Sequence, residues 1–95
     1  MNISPMGPVA REMTARLEKH LAPARIELRD DSEQHRGHGG YREDGGESHF
    51  FLRIESAAFT GQSRVGRQRL VYKALGDLMH ERVHALAMET RAPGE

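Results

Sequence analysis

Residues 59–88, FTGQSRVGRQRLVYKALGDLMHERVHALAM, contain the pattern that decides the fold. Within them Val71, Leu75, Leu78 and Met79 recur at spacings of three and four, and Leu70 and Ala74 widen the same stripe. That spacing predicts a glycine-bearing turn followed by one amphipathic helix, whose apolar face needs a sheet or a second helix to cover it. From Val83 to Thr90 the pattern shifts to period two, with His84, Leu86 and Met88 on one face and Val83, Ala85 and Ala87 on the other. A strand is expected there. His84 starts it, in line with two core residues.

Upstream, Val9, Met13, Leu17 and Leu21 follow one another at intervals of four, with Ala10 beside them. Pro8 suits the first helical position and Pro23 ends the run, so a first helix is expected over residues 8–21. Residues 1–7 show no periodicity and read as a frayed lead-in to a single domain spanning 1–95. Arg25 to Arg29 alternates, placing Ile26 and Leu28 inward on a short strand. Ser48 to Glu55 alternates as well, with Phe50, Leu52 and Ile54 inward, and His49, Arg53 and Glu55 outward beside Phe51. Between these strands, residues 31–46 hold five glycines and no apolar residue but Tyr41. A connection of that length in a small domain is usually functional or disordered.

The element order is therefore α-β-β-α-β, an α+β fold with a three-stranded mixed sheet and both helices on one face. The first two strands pair antiparallel, and the third enters through a helical crossover, parallel to the second if they are neighbours. In that arrangement the long loop returns to the sheet edge at which the third strand begins. His35, His38 and His84 can then converge although they are far apart in sequence.

Ninety-five residues can build one small core. The chain has no cysteine, which excludes a disulfide framework and any thiolate metal site of its own and fits a reducing compartment. No stretch approaches the roughly 20 apolar residues that span a bilayer, so a cytoplasmic protein without membrane attachment is expected. Fourteen basic and fourteen acidic residues cancel, which removes a global field for nucleic acid. Locally the balance fails: Arg64, Arg67, Arg69 and Lys73 occupy a segment with no acid from Gly61 to Gly76. Arginines at a helix start oppose its dipole, a placement eased by a nearby anion or acidic partner surface.

Several of these pieces together resemble the BolA family. They are Leu28 to Ser32, His35-Arg36-Gly37-His38, Gly46-Glu47-Ser48-His49-Phe50, Phe59-x-Gly61, Arg67-Gln68-Arg69-Leu70-Val71-Tyr72 and Val83-His84-Ala85-Leu86. Their order and spacing over nearly the whole chain are specific where each alone is weak. The resemblance implies a fold similar to the class II KH domain. It also implies a monomeric, non-enzymatic partner that forms a heterodimer with a monothiol glutaredoxin, sharing a glutathione-bound [2Fe–2S] cluster that the isolated chain does not hold tightly. In some members it implies a DNA-binding regulator of morphology and stress genes. By position, His84 matches the family's C-terminal ligand and His35 its loop ligand, making this chain a histidine-loop member. His38 is a second loop candidate. Family members often have a histidine where this chain has Gln68. Four residues separate Gly61 from Gly66, so the GxxG grip of RNA-binding KH domains is not supported.

Imidazole suits zinc, copper or iron, and without a thiolate this chain can supply only part of a cluster shell. A glutaredoxin cysteine and glutathione would complete it. His49, opposite Phe50, is expected outside this site, and His20 and His80 are accounted for by helix C-termini. No nucleophile, base and oxyanion donor can be placed by spacing, so an enzyme is not expected. Arg64, Arg67, Arg69 and Lys73 are left for a glutaredoxin surface or, alternatively, duplex DNA.

Overall fold

Helix α1 (Pro8–Leu21) begins on the proline and buries Val9, Ala10, Met13, Leu17 and Leu21, the residues at helical spacing. It ends at Ala22, whose φ of 42° is left-handed and whose N–H returns to the Glu18 carbonyl. These features belong to a computed structural model that describes residues 7–31 and 49–95. Strand β1 (Arg25–Asp30) pairs antiparallel with β2 (His49–Glu55), and β2 pairs parallel with β3 (Ala85–Arg91), giving the order β1-β2-β3. Leu28, Leu52 and Met88 stand in register across the three.

The crossover between β2 and β3 differs from the single helix expected. A 3-10 turn, Ala57–Phe59, leads to α2 (Arg64–Leu75), capped by the Ser63 hydroxyl accepting from the Gly66 N–H. The helix stops at Gly76, where φ is 61°, and a separate turn, α3 (Leu78–Glu81), follows. Glycine takes that backbone conformation without strain, and Arg16 of α1 secures the break by donating to the Leu75 carbonyl at 2.7 Å and to Asp77 at 3.1 Å. A cation at a helix C-terminus also complements its dipole. Asp77 is held below the usual carboxylate range by its hydrogen bond from Arg16.

The predicted core forms despite the break. Val71, Ala74, Leu75 and Leu78 join Phe50, Leu52 and Ile54 with Met13, Leu17 and Phe59 in one buried cluster, while Leu86 and Met88 pack half-buried against it. Ser56 is also fully buried. Its hydroxyl donates to the Leu21 carbonyl at 2.6 Å and accepts from the Ala58 N–H, tying the end of α1 to the exit of β2. Ser56→Ala strands that carbonyl away from water, and denaturant unfolding is expected to show a loss of ~1–3 kcal/mol. A variant as stable as the parent would show that Leu21 finds another donor.

On the opposite face the sheet is a ladder of charges. Arg53 bonds Glu27 at 3.3 Å and Glu89 at 3.0 Å, and Arg91 bonds Glu89. Phe51, expected to stand on this polar face, is half-buried under the guanidiniums of Arg29 and Arg53, 4.9 and 5.7 Å from its ring centre. The aromatic ring thus finds its cover within the sheet.

Candidate metal centre

β3 begins at Ala85, so Val83 and His84 precede the strand rather than open it. The Val83 N–H closes on the Leu78 carbonyl, and Val83 is buried while His84 is exposed. This reverses the face expected for both: His84 does not line up with the core residues Leu86 and Met88. Its exposure leaves the imidazole accessible, and the anchoring of Val83 beside it fixes the backbone from which it projects.

The register places His49 opposite Ala85, at the same end of the sheet. Alternation along β2 predicts His49 on the outward face, away from the site. Instead it is 7% exposed, and its ring centre lies 5.0 Å from that of His84, with the planes tilted by 49°. Alternation along β2 carries no information about His84, because that residue arrives from the far side of the crossover. The pairing of β2 with β3 is what brings the rings together.

The chain leaves the sheet at Asp31, whose N–H donates to the His49 carbonyl at 2.7 Å. Asp31 and His49 therefore both sit at the end of the sheet that holds His84. His35 and His38 lie outside the described residues. Among the described residues no group of three or more potential metal-ligating side chains occurs. The two imidazoles suit a metal chemically, yet a complete shell requires donors from elsewhere.

The four basic residues do not form one stripe. Arg64 and Arg67 face a groove beside β3, with Gln62, Gln68, Glu89 and Thr90. Lys73 lies on another groove, between α1 and α2, with Arg16, Lys19 and His20. Arg69 is exposed. Arg67 is already engaged: both its Nη atoms donate to the Glu95 carboxylate at 2.6 Å, and its Nε donates to the Gln62 carbonyl. Glu95 supplies the anion that the helix start lacks in its own first turn.

Hydrogen bonding from Arg67, and from the Ala92 N–H, lowers the Glu95 carboxyl from 4.5 to about 2. A depressed carboxylate gives stability that is present above its ordinary value and is lost as the pH falls toward about 2. The side-chain carbonyl resonance of Glu95 is therefore expected to titrate near 2, returning toward the ordinary range in Arg67→Gln. Titration of the parent at the ordinary value would show that the pair does not persist in solution.

Comparison with known proteins bears on this architecture directly. The sequence profile described as BolA-like protein matches residues 17–95. The chain belongs to the BolA-like family. It is 41% identical over 97 residues to SufE-like protein 1, chloroplastic/mitochondrial, of Arabidopsis thaliana, and 38% identical over 90 residues to BolA-like protein 1 of Mus musculus. These matches cover 99% and 94% of this chain but only 26% and 61% of those relatives. Among solved structures, the BolA domain of SufE1 from Arabidopsis thaliana superposes with a TM-score of 0.82 at 39% identity, over 94% of this chain and 96% of that one. BolA1 from Arabidopsis thaliana gives 0.79 at 32%, over 95% and 98%. The α+β architecture with its mixed sheet is that of BolA domains.

Proposed function

We propose that this BolA-like chain is a non-enzymatic partner of a monothiol glutaredoxin and co-ligates a shared [2Fe–2S] cluster through histidines. The observation that supports this most is the exposed His84 beside His49, at the sheet end where Asp31 leaves β1. The cluster would supply electron transfer or be cargo for delivery. This chain's contribution is imidazole donors: His84, and one of His35, His38 or His49. Two imidazoles bound to one metal through nitrogen at about 2.1 Å, at a near-tetrahedral angle, have ring centres about 5 Å apart. The observed separation thus makes His49 a candidate alongside the loop histidines. Glutaredoxin and glutathione thiolates complete the shell, since this chain has no cysteine.

The test is to mix the purified chain with a monothiol glutaredoxin, glutathione, iron and sulfide, and to record visible absorption and circular dichroism. The expected result is a spectrum distinct from that of the glutaredoxin alone, at one cluster per heterodimer. An unchanged spectrum rejects the proposal. The reading places the protein in the cytoplasm. No described helix is long and apolar enough to cross a membrane, and the Arabidopsis relative's chloroplastic/mitochondrial designation makes localisation in cells a necessary check.

A second reading, duplex DNA binding, draws on the groove lined by Lys19, His20 and Lys73, in which Arg16 is already paired with Glu12 and Asp77. If these groups contact phosphates, Lys19→Gln with Lys73→Gln weakens all duplex sequences alike and lowers the salt slope by about two. A retained slope excludes that groove as the DNA surface.

A further inference from the structure

β3 is the last strand of the sheet, paired on one side only among the described residues. The Ser56 N–H donates to the Arg91 carbonyl at 2.9 Å, so Arg91, and with it Glu89 and Ala87, turn their main-chain groups toward β2. Those of Leu86, Met88 and Thr90 must then face the open edge. The Thr90 carbonyl bears this out by accepting from Arg67 Nη1 at 3.4 Å, on the side away from β2. Such an edge is a template for another strand unless charge, proline or a bulge blunts it. Its first four residues, Ala85-Leu86-Ala87-Met88, include neither charge nor proline.

A groove of about 410 Å3 runs between this edge and the start of α2. Arg67 is set into its wall, with a side chain only 13% exposed and its Nε fixed by the Gln62 carbonyl. The outer edge of its guanidinium holds a carboxylate through two parallel bonds, the geometry that arginine offers to this anion above others. Arg64, on the same groove, is exposed and has no acidic partner among the described residues. Glu89 also lines the groove, but its carboxylate is held by Arg53 and Arg91. The Glu95 pair therefore shows that Arg67 takes a carboxylate, and Arg64 is left without one among the described residues.

We propose that this groove docks an extended acidic segment of a partner protein. The segment pairs with the outward main chain of Leu86 and Met88, and its carboxylate replaces that of Glu95 on Arg67. Glu95 is the internal competitor: it keeps Arg67 neutralised until a segment offering main-chain pairing as well as a carboxylate displaces it. The Arg67 end of the site lies beside Met88 to Thr90, away from His84, and the test uses no metal, so its failure leaves the histidine proposal untouched.

The probe is a blocked heptapeptide of alternating valine and threonine with one central glutamate, compared with a twin carrying glutamine. Both are titrated into the isotope-labelled full chain by nuclear magnetic resonance. The expected result is movement of the Leu86, Met88 and Thr90 amides, with the glutamine twin binding about three- to tenfold more weakly. Glu95→Gln should bind the glutamate peptide about three- to tenfold more tightly, and Arg67→Gln should lose the preference for it. Glu95 is exposed, so its variant tests the competition without disturbing the core. Equal binding of the twins, absence of movement at Leu86 and Met88, or a Glu95→Gln variant no tighter than the parent overturns the proposal. So do the same amide shifts on concentrating the protein alone, which assign the edge to a second copy, or on adding a DNA duplex, which assign the groove to phosphates.

Discussion

Leu75→Ala is expected to lower the unfolding free energy by ~2–5 kcal/mol, a large share of the ~5–15 kcal/mol available to a small domain. Leu75 is fully buried at the last position of α2, in the cluster that joins both helices to the sheet. Removing its side chain loses apolar burial and leaves a cavity whose walls cannot easily close. Its own carbonyl is tied to Arg16 of α1, and Gly76 turns the backbone immediately after it. The comparison variant is Val65→Ala, on the same helix but 54% exposed, which should change stability by no more than about 0.5 kcal/mol. Equal effects of the two substitutions on the denaturant midpoint would show that the buried face of α2 is misplaced.

His84→Ala is expected to leave thermal unfolding nearly unchanged, because the residue is exposed and precedes β3, while removing a donor from the cluster we propose it shares with a glutaredoxin. Altered ligation should change the visible circular dichroism and speed cluster loss to a chelator by at least roughly tenfold, as even losses of supporting groups around metals cost ten- to a hundredfold. Single replacements of His35, His38 and His49 then identify the second donor as the one that reproduces the His84 effect. His49 is buried, so its variant is compared only after its unfolding has been measured. A His84→Ala complex with parental spectrum and cluster lifetime would refute ligation by His84. The function would then rest on the basic grooves.

The sequence dictates the order of the strands about a helical crossover, the α1 boundaries and the inward residues of β2. In each case the period of the apolar residues matches the period of the backbone. It also determined that any cluster site must borrow its thiolates, since no cysteine is present. Spacing did not show that the crossover helix would break at Gly76, because the apolar stripe runs through the glycine without interruption. The break depends on Arg16, 59 residues earlier, meeting the Leu75 carbonyl.

The surroundings of His84 follow from strand pairing, which no local pattern encodes. Alternation assigned it to the core face, yet the strand starts one residue later, and local parity cannot reveal a histidine contributed by a neighbouring strand. The parallel register of β2 and β3 brings His49 to it. The partner of Arg67 was equally hidden. The excess of positive charge at the helix start was legible as a need for an anion, but the anion is 28 positions away on a segment with no periodic pattern, and only the folded chain brings the two groups within hydrogen-bonding distance.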